Sequence, residues 1–334
     1  MKALILKSTD GPGSAELEQL EAPSPGPGEV LVRVQAASLN HRELWISRGL
    51  YPGMSLPTVL GADGAGRVEA LGNGVDSTLL GRDVVLYPGL HWGNDERFPS
   101  SLFGLLGMPG PGTIAEAVCV PAASVFARPD HLSAAEAASL PVAALTAYRA
   151  LFVKAKLATG EKLLVTGIGG GVATFARLFA KAAGAKVYVT SSSPETIAKA
   201  IDHGAEQGFN YRDDGWGKAL RSASGGIDVV LDGAPAGSFP AYARNLAMGA
   251  RVVVYGSTGG PTFTASAPEL FLKHATLFGT AMGSPADFKA MLDFVAEHRI
   301  HPIIDRVFEL DGAGEALVHL ETGHGFGKVV IQID

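Results

Sequence analysis

Short apolar runs alternate with polar positions over the first 125 residues. Across Val30–Ala36, Val30, Val32 and Val34 alternate with Leu31, Arg33 and Gln35, the period-two pattern of a strand with one buried face. Ala3–Leu6, Gly64–Ala70 and Val84–Tyr87 repeat it between turns. Ala22-Pro-Ser-Pro-Gly-Pro-Gly28 separates the first two strands, and its prolines exclude helix or central strand there. No long amphipathic helix is predicted before Ser133. Short strands divided by turns predict an antiparallel, barrel-like domain.

The pattern then changes. Ser133-Ala-Ala-Glu136 reads as a capping box opening an Ala-rich helix. From Leu163, apolar strands alternate with helices: Leu163–Thr166 before Val172–Ala183, Val187–Thr190 before Glu195–His203, and Ile227–Leu231 before Phe239–Leu246, with a strand at Arg251–Tyr255. Near-continuous apolar strands between helices predict a parallel sheet covered on both faces. A helix at Ala286–His298, a break at Pro302 and a closing strand at Lys328–Ile333 follow.

Composition narrows the class. The chain has 334 residues, 47% hydrophobic and 18% charged, and its net charge is −6. That is a globular composition with no basic surface for nucleic acid. No apolar run reaches the roughly 18–20 residues of a membrane span. Met1-Lys-Ala-Leu-Ile-Leu-Lys7 is too short an apolar core for a signal peptide, so a soluble cytoplasmic protein is expected. The single cysteine, Cys119, excludes an intramolecular disulfide and any multi-cysteine zinc cluster. Glycine is abundant, 43 residues, which points to tight turns and close backbone approach.

Leu163-Leu-Val-Thr-Gly167-Ile-Gly169-Gly170-Gly171-Val172-Ala173 stands where a dinucleotide fingerprint belongs, between a strand and a helix. Glycines there let backbone amides approach a pyrophosphate at the helix N-terminus. The same residues also suit an ordinary strand-to-helix turn. The second strand ends in Thr190-Ser191-Ser192-Ser193, with no carboxylate before Glu195. Hydroxyls there permit a ribose 2′-phosphate, where an acidic residue would select the free 2′-hydroxyl. A serine-rich helix cap is the plainer alternative.

Together with the glycine loop, Pro25-Gly-Pro-Gly-Glu-Val-Leu-Val-Arg-Val34, Ala36-Ala-Ser-Leu-Asn40, Gly61-Ala-Asp-Gly-Ala-Gly-Arg-Val68, Leu140-Pro-Val-Ala-Ala-Leu-Thr-Ala-Tyr148 and Gly327-Lys-Val-Val330 make a pattern running nearly end to end. The chain resembles the medium-chain dehydrogenase/reductase superfamily, in its zinc-free, quinone-oxidoreductase-like branch. The resemblance implies an α/β fold, a Rossmann doubly wound parallel sheet plus a GroES-like β-barrel catalytic domain. The expected division is 1–126 for the catalytic domain, 127–275 for the cofactor domain and 276–334 for a return to the first. It also implies a homodimer.

In zinc-containing relatives the metal ligands fall at positions that read here as Asn40, Ala62 and Val142. Alanine and valine cannot ligate, and a catalytic zinc needs three protein ligands plus water, so no zinc is expected. His298-Arg-Ile-His301 has ligand-like spacing without a cysteine or Glu-x-x-His partner, and a solvated helix end is the better reading. The resemblance places Asn40 and Tyr51 in the substrate cleft and Thr146 beside the nicotinamide. It assigns cofactor contacts to Gly167, Gly169, Gly170, Gly171, Val172, Ser191, Ser192, Ser193, Tyr211, Gly256, Ser257, Thr258, Phe278, Thr280, Phe326 and Lys328. His41 is a candidate acid or a mere neighbour. The chain departs from the pattern at Thr196, where a lysine is usual, and at Gly89–Ser101, longer than in minimal quinone reductases.

Without a metal, hydride transfer suits acceptors activated by conjugation. The expectation is an NADPH-dependent reductase (NADH possible) of quinones or α,β-unsaturated carbonyls. A metal-free alcohol or carbonyl dehydrogenase, and a nucleotide-binding redox sensor or structural protein with little turnover, remain open.

Overall fold

The computed structural model describes all 334 residues. Contacts divide the chain into two units, residues 1–145 with 283–334, and residues 146–282. Both divisions fall later than the pattern of the sequence places them. The helix Ala134–Ala138 packs on strands of the first unit, and Thr276–Gly279 pairs with Leu246–Val254 in the second.

In the first unit, Glu29–Ser38 is the central strand. It pairs antiparallel with Asp63–Leu71, Ala117–Pro121 and Lys328–Gln332, and the sheet extends to Asp83–Leu86, Val125–Ala127 and Ile304–Glu309. A second sheet joins Ala15–Gln19, Lys2–Leu6 and Thr58–Val59. Val30, Val32 and Val34 point into one core with Val68, Val84 and Val118, as their alternation predicts. The capping box forms at Ser133 and Glu136. Two helices are unannounced by the pattern: His41–Ser47, only seven residues long, and Ala313–Glu321.

In the second unit all six strands are parallel, in the order Gln207–Asn210, Lys186–Ser191, Lys162–Val165, Ile227–Asp232, Leu246–Val254, Thr276–Gly279. This is the doubly wound order, whose crevice at the carboxyl ends of the strands binds dinucleotides. Leu163, Leu164 and Val165 are fully buried, which explains their unbroken apolar run. The helix expected at Phe239–Leu246 instead spans Pro235–Tyr242, and Leu246 already begins the next strand. Pro235 sits in the first turn, where its ring favours helix initiation. No helix is long and apolar enough to cross a membrane.

Candidate active site

In the first unit the central strand runs into Asn40, which caps the helix His41–Ser47. Gly61, at φ +102°, turns the chain into Asp63; a Cβ there would lie 2.7 Å from both Ile114 and Thr113. Asp63 is fully buried. Its Oδ2 accepts from Ser38 Oγ (2.9 Å), Asn40 Nδ2 (2.9 Å) and Lys328 Nζ (3.0 Å), and its Oδ1 accepts from the Val142 amide (2.8 Å). Lys328 is 2% exposed. Its three protons go to Leu39 O (2.7 Å), Asn40 Oδ1 (2.6 Å) and Asp63.

These contacts fix which way the Asn40 amide faces. An ammonium only donates and a carboxylate only accepts, so Oδ1 must face Lys328 and Nδ2 must face Asp63. One Nδ2 proton is left over on a half-buried side chain. Below it, Glu43 Oε2 accepts from the Asn40 backbone N–H (2.8 Å), and Arg42 Nη1 donates to Glu43 Oε1 (2.8 Å) and Leu106 O (2.9 Å). Burial pushes the Glu43 carboxyl up, against the pull of Arg42. The Arg42 guanidinium lies 5.0 Å from the ring centre of half-buried Tyr51.

The same residues answer whether zinc fits. The Asn40 amide is engaged by Lys328 and Asp63, Ala62 offers a methyl, and Val142 offers only a backbone amide already bonded to Asp63. No group of three or more His, Cys, Asp or Glu side chains converges as a metal site would require. An ammonium stands beside the Asp63 carboxylate. The donor set does not fit zinc.

Two expectations change here. Lys328, expected at the cofactor, spends all its protons inside the first unit and holds Asn40 instead. His41 is open at the surface, yet the protein crowded around it and the Lys328 ammonium hold its imidazole below the ordinary 6.5. Both effects disfavour the imidazolium that the acid role would need. Phe326 is buried, its amide bonded to Asp305 (2.9 Å). His301 pairs with Glu136 through Nδ1 (2.7 Å), and His298 caps a helix.

In the second unit Gly167, at φ +64°, turns the chain out of its strand, and the helix Gly171–Ala182 opens at Gly170 with no side-chain cap. A Cβ on Gly170 would meet nothing closer than Gly167 O at 3.8 Å. Gly169, Gly170, Gly171 and Val172 are half-buried and Ala173 is fully buried. An open glycine surface facing uncapped helix amides fits a dinucleotide pyrophosphate. Thr258 N bonds Gly233 O (3.0 Å) and Thr280 N bonds Val254 O (3.0 Å), so Gly256–Thr258 and Thr280 lie at the same strand ends. Phe278 lies on the last strand, half-buried, and Thr146 is buried with Oγ1 4.0 Å from Met282 Sδ. The Thr280 hydroxyl is buried without a partner. Ser191 Oγ accepts the Ser193 amide (3.1 Å), Ser193 Oγ caps Thr196 (3.1 Å), and Ser192 lies between them.

Sequence reasoning passed over Asp232, at the end of its strand. Fully buried, it accepts from Thr166 Oγ1 (2.7 Å), the Ala234 amide (2.9 Å), Ser238 Oγ (2.5 Å) and Tyr242 OH (2.9 Å). It ties the residue before the glycine loop to the next loop. Burial, then the Asp232 charge, pushes the phenols of Tyr242 and Tyr255 up.

The parallel sheet and its glycine loop are of the dinucleotide-binding class. A model described as zinc-binding dehydrogenase matches residues 171–297, and one described as alcohol dehydrogenase GroES-like domain matches 26–130. A zinc-type alcohol dehydrogenase-like protein of Leptosphaeria maculans is 38% identical over 95% of this chain and 94% of its own. A chloroplast envelope quinone oxidoreductase homolog of Arabidopsis thaliana is 30% identical over 99% and 98%. A crystal structure titled NAD-dependent alcohol dehydrogenase superposes with a TM-score of 0.94 at 35% identity, covering 100% of both chains. The chain belongs to the medium-chain dehydrogenase/reductase superfamily.

Proposed function

We propose that this oxidoreductase reduces quinones or α,β-unsaturated carbonyls with NADPH and without a metal. The observation that carries the reading is the Asn40 amide, locked by Lys328 and Asp63 with one N–H left to donate. The loops Gly167–Val172, Ser191–Ser193, Gly256–Thr258 and Phe278–Thr280 with Tyr211 would hold a dihydronicotinamide nucleotide, which would supply the hydride. Hydride added to an enone β-carbon would move the π electrons onto the carbonyl oxygen, and a proton taken up from solvent would complete the reduction. The Asn40 N–H and the Tyr51 hydroxyl are the donors for that oxygen. Thr146 would lie beside a bound nicotinamide in this assignment. The Arabidopsis relative's name supports a quinone acceptor. The zinc in the name of the Leptosphaeria relative belongs to that protein, and the donor positions here carry an amide, a methyl and a valine.

A second reading, a metal-free alcohol or carbonyl dehydrogenase, is favoured by the alcohol dehydrogenase names and titles among the relatives. NADPH oxidation with a panel of quinones, enones and simple ketones separates the two. Turnover confined to conjugated acceptors supports the first; equal turnover of a saturated ketone overturns it. The exposed outer strand Thr276–Gly279, with Leu277 at its surface, is the edge we assign to a homodimer.

A further inference from the structure

Arg42 is 8% exposed, and only one corner of its guanidinium is bonded. Nη1 donates to Glu43 Oε1 and Leu106 O, whereas Nε and Nη2 are buried and meet no acceptor in bonding geometry. Those two nitrogens form a paired-donor edge of the kind that takes two acceptor lone pairs at once. A buried donor without a partner forfeits its hydrogen bonds to water and gains none in return.

Tyr51 faces this guanidinium. Its ring centre lies 5.0 Å from the guanidinium carbon, within cation–π range. Burial works against the Arg42 charge, and Glu43 and the Tyr51 phenol together outweigh it, so its pKa lies above the ordinary arginine value. The phenol oxygen is thus close enough to act on that charge. Tyr51 stands between Gly49 (φ +71°) and Gly53 (φ +68°), two turns that let the backbone there bend in several ways. It packs, as Met54 and Leu56 do, on the apolar core of the first unit. Apolar packing holds a ring in place but does not direct a hydroxyl proton.

We propose that Arg42 is a positioning residue for Tyr51: its unbonded edge supplies donors to the phenol oxygen, so that the phenol proton is aimed at the acceptor. A phenol oxygen that accepts from a cation has only its own proton left to give, and gives it elsewhere. Glu43 holds Arg42 through Oε1 and the Asn40 backbone N–H through Oε2. One carboxylate therefore places the supports of both donors. The inference rests on Tyr51 as a donor in the function proposed above.

The test is reduction of cyclohexenone and benzoquinone by the purified full chain with saturating NADPH, with a denaturation midpoint for every variant. Tyr51→Phe should lower kcat about a hundredfold, the scale of one lost oxyanion donor. Arg42→Met should lower kcat about tenfold and move KM by about twofold at most, as loss of an interaction made in the transition state does. Added to Tyr51→Phe, the same change should cost kcat no more than about twofold, because the residue it acts through is gone. Arg42→Lys keeps a cation for Glu43 and loses the planar fork. Its midpoint should return toward wild type while kcat stays about tenfold low, whereas a merely structural role would recover both together. If Arg42→Met does not fold, Arg42→Lys with and without Tyr51→Phe gives the same comparison. Equal losses of kcat in both backgrounds, or a kcat that recovers with stability in Arg42→Lys, overturns the inference and leaves Tyr51 as a donor. An unchanged kcat in folded Tyr51→Phe removes Tyr51 as a donor and the inference with it. A folded wild type that reduces neither acceptor overturns the proposed function and this inference alike.

Discussion

The Lys328 ammonium lies 3.0 Å from Asp63 Oδ2, and the two side chains are 2% and 0% exposed. They are far apart in the chain, and neither has water to fall back on. Removing one member of such a pair leaves a buried charge and costs about 3–5 kcal/mol. Lys328→Met should therefore lower the urea midpoint of the first unit markedly. A midpoint within error of wild type would mean that Asp63 is satisfied by its other three donors.

Asn40→Leu keeps the volume and removes the donor. It should lower kcat for an enone by about a hundredfold, the effect of losing one oxyanion donor. Binding of the reduced nucleotide, followed by its fluorescence, should not change. Loss of nucleotide binding with kcat intact would contradict the assignment.

Gly170→Val should fold, because a Cβ there meets only Gly167 O at 3.8 Å, and it should weaken nucleotide affinity by about tenfold or more, since the side chain fills the space a pyrophosphate needs. Circular dichroism and calorimetry on the same sample check both halves.

His41 should titrate below 6.5, its environment disfavouring the imidazolium. A folded-state pKa below the unfolded one contributes stability that is complete above about 6.5 and is lost as pH falls through the folded value. Denaturation midpoints should thus decline less on acidification in His41→Gln than in wild type. Identical pH profiles would remove this linkage.

Much of the second unit was legible because buried parallel strands leave unbroken apolar runs. Val187–Thr190 and Ile227–Leu231 fall inside the observed Lys186–Ser191 and Ile227–Asp232. The helix His41–Ser47 was not, since seven residues span only two turns and its buried positions mix Arg42, Glu43 and Ser47 with Leu44 and Ile46. Asn40, Ala62 and Val142 could be placed by resemblance. The partner of Asp63 could not: Lys328 arrives from 265 residues away, on a strand that joins the central one only in three dimensions. Glu195 reads as an ordinary first-turn acid until its reach back to Ser193 is seen.

The most direct measurement is metal content alongside enone or quinone reduction, before and after exhaustive chelation of the purified protein. The account predicts far less than one zinc per chain and a rate that chelation leaves unchanged. Close to one zinc per chain, removed together with activity and restored with it, would contradict the account.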